Sequence, residues 1–247
     1  MMKNRIRLKQ KYHSGQSLVS LMLSVSLSSF LLLVILQFYS QHQQQNQEIL
    51  LRLQLQTELQ RVVQLMGKDL ARTGFRAVSE KLTKDNLSLF EQPNQPSAIT
   101  IAQMNAEKNN SCVVFFYDLD ANGCVGGQYK GDTCLANGRN ATKEIERELF
   151  GYRLNKKMLE TRLTYKSAVK QNCSLEDCQR YTQQSACNHG GWVDLLDEKE
   201  YEISHLTFDW VAEQKGIEVR LIGNLKQNKK ITYETAIVVP LLNGEVP

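Results

Sequence analysis

Charge is absent where a soluble chain would carry it. Between Lys11 and Glu48 there is no Asp, Glu, Lys or Arg. That excludes an ordinary solvated N-terminal segment, because a run this long and this apolar has to be buried in protein or in lipid. Cysteine is missing from the same region. All six, Cys112, Cys124, Cys134, Cys173, Cys178 and Cys187, lie further along, so no disulfide can restrain the N-terminal part. Also lacking are a Ser-nucleophile elbow, a phosphate-binding glycine loop and a paired-histidine motif. The four histidines, His13, His42, His189 and His205, are scattered, and no internal repeat is visible. These absences argue against an enzyme.

What is present begins with a basic leader, residues 1–15, holding Lys3, Arg5, Arg7, Lys9 and Lys11 and no acid. An apolar stretch follows directly. From Leu18 to Tyr39 it covers roughly 33 Å as a helix, enough for a ~30 Å hydrocarbon core. By the positive-inside rule the leader stays in the cytoplasm and the rest of the chain is exported. The formal net charge of +4 comes from that leader; without its five basic residues the remainder sits near −1. A domain so close to neutrality gives no strong nucleic-acid signal.

The order of the leader's parts is informative. In an ordinary secretory signal a small-residue cleavage site follows the apolar segment. Here the small residue, Gly15, precedes it, in Gly15-Gln16-Ser17-Leu18-Val19-Ser20-Leu21-Met22. Cleavage between Gly15 and Gln16 would leave the apolar helix as the new N-terminus. This arrangement resembles the type IV prepilin signal, with two departures: Gln16 stands where the family usually has Phe, and Ser20 where it usually has Glu. Further segments resemble the minor pilins called prepilin peptidase-dependent protein B, related to the PilW and GspJ groups. They are Leu70-Ala71-Arg72-Thr73-Gly74-Phe75, Phe116-Tyr117-Asp118-Leu119-Asp120-Ala121-Asn122-Gly123, Phe150-Gly151-Tyr152-Arg153-Leu154 and Met158-Leu159-Glu160-Thr161.

The resemblance implies a subunit that a prepilin peptidase cuts and N-methylates, and that an inner-membrane assembly platform then places among major and minor pilins. The family Glu is the group that docks on a neighbour's terminal amine. Ser20 cannot supply that charge, so the expected role is a minor subunit at a pilus tip or in an initiation complex, of a type IV pilus or a type II secretion pseudopilus. The alternative is a membrane-anchored periplasmic binding or sensor protein whose N-terminal helix is never cleaved.

The expected fold is α+β and pilin-like: a long N-terminal spine helix packed on an antiparallel β-rich domain with disulfides. The expected parts are the leader (1–15), the transmembrane helix (16–40), an amphipathic continuation (41–75) and a periplasmic globular domain (76–247). Gln41 to Gln47 forms a polar collar. Beyond it Ile49, Leu53, Leu59, Val63, Met66 and Leu70 recur at roughly helical spacing and should pack on the domain. Gly74 is a plausible helix stop. Residues 75–96 read as irregular or as short helix, ending in Gln92-Pro93-Asn94-Gln95-Pro96. Strands are expected over residues 98–102 and 112–117, and as a hairpin over 149–154 and 158–165. A meander over 201–212, 216–225 and 231–241 should turn at Gln214-Lys215 and Gln227-Asn228-Lys229.

An even set of cysteines in an oxidising compartment reads as structural disulfides. Cys112, Cys124 and Cys134 form one neighbourhood and Cys173, Cys178 and Cys187 another, so full pairing needs at least one bridge between them. The rival is zinc on Cys173, Cys178, Cys187 and His189, although that spacing fits no common zinc site. One further motif has metal chemistry. Asp118, Asp120 and Asn122, followed by Gly123, open like an EF-hand calcium loop. Its twelfth position is Tyr129 instead of a bidentate Glu, and Cys124 at the seventh offers only a carbonyl. The competing reading is an Asx-rich β-turn.

Overall fold

The computed structural model describes residues 18–78, 80–92, 98–162 and 169–243. Gly15 and Gln16, the Pro93–Pro96 stretch and the end of the expected strand at residues 163–165 lie outside them. The chain divides into two compact units, one reaching to Leu50 and one beginning at Leu51.

In the first unit the described residues are all helix, the opening part of α1 (Leu18–Ala71). Its apolar side chains, Leu21, Phe30, Leu33 and Ile35 among them, are exposed. Serines punctuate this run without breaking it, because four of their hydroxyls are satisfied within the helix. Ser24 donates to the Leu21 carbonyl, Ser26 to Leu23, Ser28 to Ser24 and Ser29 to Val25. Such back-bonding lets a hydroxyl face hydrocarbon with no unmet donor. Among the described residues this is the one helix long and apolar enough to cross a membrane.

In the second unit the remainder of α1 packs on two antiparallel sheets. The first has five strands in the order β1 (Ile99–Ala102), β2 (Cys112–Phe116), β5 (Leu149–Asn155), β6 (Met158–Arg162) and β7 (Trp192–Asp194). The second has three, β10 (Asn228–Pro240), β9 (Gly216–Leu225) and β8 (Tyr201–Val211), and a small ladder joins β3 (Leu135–Ala136) to β4 (Arg139–Asn140). The α+β class, the helix-on-sheet packing and the disulfides match the expectation.

The face of α1 that packs is not wholly the expected stripe. Leu59, Val63, Met66 and Leu70 are buried, but Ile49 and Leu53 are more than half exposed, and Leu55 and Val62 join the core instead. The reason is angular. At 100° per residue Leu53 stands about 200° round from Leu55, on the opposite face. Positions 55, 59, 62, 63, 66 and 70 keep the 3–4 spacing of one face. They contact Phe115, Tyr152, Leu159 and the inward residues of β8 and β9 in one core. Gly223 on β9 allows the approach: a Cβ there would lie 3.0 Å from Leu59 Cδ1 and 2.9 Å from Ile203 Cδ1.

The β5–β6 hairpin turns at Lys156-Lys157, both at positive φ (48° and 68°), as a two-residue type I′ turn requires. The meander turns fall slightly earlier than expected. Ala212–Gln214 occupy the left-handed region. The next turn is at Lys226-Gln227, so β10 already pairs from Asn228. Strands β3, β4 and β7 are too short for a periodicity to announce them.

Candidate functional site

Three of the segments that carry the family resemblance come together in space. The turn after α1 puts Gly74 (φ +72°) where its N–H donates to the Phe116 carbonyl at 3.0 Å. The Asp118 N–H then donates to the Phe75 carbonyl at 2.9 Å. Antiparallel pairing of β2 with β5 ends at Phe116 opposite Leu149. The chain leaving β2 as Asp118–Gly123 is thereby laid beside the chain entering β5 at Glu148.

Glu148 is the centre of this junction and is 2% exposed. Its Oε1 accepts the N–H groups of Leu119 (2.7 Å) and Asp120 (3.2 Å), and its Oε2 that of Gly126 (2.7 Å). Asp118 is equally buried. Its Oδ1 accepts from Asn122, and its Oδ2 from Gly123 and Ala77. Asn122 accepts the Cys124 N–H and donates to the Gly126 carbonyl, closing the loop on itself. A second buried network backs it: Asn86 both accepts from and donates to the Val125 backbone and donates to Asn140 Oδ1. Gly126 has to be glycine, with φ +108° and a Cβ position 2.4 Å from Thr142 Oγ1.

Burial pushes the Glu148 carboxyl up to about 7 against the opposing pull of its three backbone donors. Asp120 is also raised, by burial and then by Asp118. Asp118, Asp120 and Glu148 can each offer one oxygen, all within 4.8 Å of one another, which is the donor type that calcium takes. Most of those oxygens already accept backbone N–H groups, and these bonds account for the loop as an Asx-type turn latched by a distant acid. Of the expected calcium residues, Asp118 and Asp120 are brought together with Glu148. Asn122 turns its oxygen to the Cys124 N–H instead. Glu148 was not visible in sequence, since its partnership with the loop depends on the β2–β5 register.

All six cysteines are bonded: Cys112 to Cys187, Cys124 to Cys134 and Cys173 to Cys178. The first is the bridge between neighbourhoods that full pairing demands. Zinc is thereby overturned as an alternative, because no thiolate is left for it. The bridges pin two irregular regions. Cys124–Cys134 closes the segment after the acidic loop. The other two hold the insertion between β6 and β7, which contains the short helix α2 (Leu175–Gln179) and a 3-10 turn at Gln184–Cys187. Ser20 lies exposed near the start of α1.

These features define a class: a disulfide-braced β domain whose packed helix continues from an apolar stretch long enough to cross a membrane. The chain belongs to the prepilin peptidase-dependent protein B family, a pilus-related family, which matches residues 48–241. A Haemophilus influenzae protein described as uncharacterized is 56% identical over 198 residues, covering 79% of this chain and 82% of that one. No solved structure matches this chain.

Proposed function

We propose that this protein is a minor pilin that takes part in assembling or initiating a type IV pilus or a type II secretion pseudopilus. The observation that carries this reading is the exposed, uncharged apolar helix beginning at Leu18, in a member of a prepilin peptidase-dependent family. In this reading the prepilin peptidase cuts after Gly15 and methylates Gln16. The helix then holds the subunit in the inner membrane as a single pass, with the β domain in the periplasm. Such a helix can leave lipid only where other apolar helices replace it, and the packed helices of major and minor pilins do so on the inner-membrane assembly platform. The protein is a structural subunit without catalytic chemistry of its own.

Ser20 supports the minor role. A carboxylate stranded in the bilayer costs about 2.5–3.5 kcal/mol on insertion scales, and a neighbour's terminal amine offsets that cost in a docked subunit. Ser20 brings no carboxylate, so this subunit sits where the pairing is not needed, at the tip or in the initiating complex. The test is to count this subunit per filament in wild type and in Ser20→Glu. A few copies per filament, and impaired assembly with Glu, are expected. A wild-type count comparable to the major pilin would end the minor-subunit reading, and increased incorporation of Ser20→Glu would place the subunit along the shaft.

A further inference from the structure

Two arginines of the five-stranded sheet are almost completely buried, and only one has an ionic partner among the described residues. Arg153 on β5 pairs with Glu160, donates to the Cys187 carbonyl and lies over the Trp192 ring at 4.5 Å. Arg162, at the end of β6, is 5% exposed. Its Nη1 donates to the Tyr181 carbonyl at 2.6 Å, and its Nε, itself almost without accessible surface, has no acceptor among the described residues. No carboxylate among the described residues pairs with it, and burial pulls its guanidinium down to about 10. A buried cation without a counter-ion is costly, and Arg153 shows that this sheet can provide a partner where one is needed.

Arg162 lines a cavity of about 540 Å³ together with Arg180, Tyr181, Ser185, Ala186 and His189. That volume is in the range of small-molecule sites. The described lining residues include no acid and a second cation. Arg180 meets only Glu176, across an exposed i,i+4 pair at 2.7 Å, which neutralises it weakly. His189 Nδ1 donates to the Ser185 carbonyl at 3.0 Å, which leaves Nε2 unused by that bond. Tyr181 and Ala186 add apolar wall. Cys112–Cys187 ties the segment that carries Ser185, Ala186 and His189 to β2, and Cys173–Cys178 closes the loop before Arg180 and Tyr181.

We propose that this cavity is an oxyanion-binding site, in which Arg162 receives the carboxylate or phosphate group of a small organic ligand. The planar guanidinium fork is the side chain suited to both groups. Arg180 on the exposed side adds attraction for the same charge.

The test uses the full-length chain, isotopically labelled, in detergent micelles, with NMR of the arginine Nε–H signals. Sodium acetate and inorganic phosphate are titrated separately, against chloride at the same ionic strength. One arginine signal, absent from Arg162→Lys, should move saturably with an oxyanion and stay still with chloride. Saturation at lower acetate assigns a carboxylate ligand, and saturation at lower phosphate assigns a phosphate ligand. Arg162→Lys should weaken binding at least about tenfold, the worth of one charge-assisted hydrogen bond. Should Arg162→Lys fail to fold, Arg180→Ala, at an exposed position, carries the test by weakening the same titration. If neither anion moves a single arginine signal saturably, or if the response is unchanged in both variants, the proposal is overturned.

Discussion

Glu148 shows how one side chain can fix a loop that its own neighbours cannot. It accepts three backbone N–H groups across a sequence separation of 22 to 29 residues. Glu148→Gln keeps the size but turns an amide donor against one of those N–H groups, so a loss of roughly 1–3 kcal/mol is expected. The carboxyl also sets a pH dependence. Its folded-state value is raised from 4.5 to about 7 by burial. The native state therefore binds a proton that the unfolded state has released. The stabilisation that follows is full below the unfolded value and is lost as pH rises through about 7. Asp120, also raised by burial, acts in the same direction. Melting of wild type against Glu148→Gln at about pH 5 and about pH 8 isolates the effect. The wild type should lose more stability than the variant on going to the higher pH. Equal losses would mean that Glu148 is ionised throughout.

At the scale of elements, α1 separates two kinds of apolar residue that composition does not distinguish. Leu59 is fully buried and Leu53 is 52% exposed. Leu59→Ala should cost about 2–5 kcal/mol, because it opens a cavity between α1, β8 and β9. Leu53→Ala should change stability by no more than about 0.5 kcal/mol. Chemical denaturation of the two variants in detergent checks both, and comparable losses would mean that the packed face has been misplaced. Much of this level was legible in the sequence. The uncharged run, the 3–4 spacing after it, and the alternation in β8, β9 and β10 are local signals, and each became the expected element. What local signals could not supply was rotation and register. Ile49 and Leu53 fit the period yet fall off the face, because the start of the packed stripe depends on what α1 meets. Glu148 and Arg162 gain their roles from strand pairing and from a disulfide-held insertion that no spacing rule describes. The calcium-like opening at Asp118–Gly123 was readable, but its acid partner lies across the β2–β5 pair.

At the scale of the whole molecule, the two units follow different rules. The first exposes its apolar side chains and satisfies the hydroxyls of Ser24, Ser26, Ser28 and Ser29 within the helix, an arrangement compatible with lipid or other helices as its solvent. The second buries its apolar face and closes all its cysteines into bridges. In the proposed function the apolar helix becomes the N-terminus of a mature pilin subunit. The direct measurement is the mass of the N-terminal peptide of the protein isolated from the membrane fraction of cells with an active prepilin peptidase. A chain beginning at Gln16, with a methyl group on its amine, is the predicted result, and Gly15→Val should abolish it. A chain that keeps the basic leader of residues 1–15 in those cells would contradict the account and leave a permanently anchored periplasmic protein in its place.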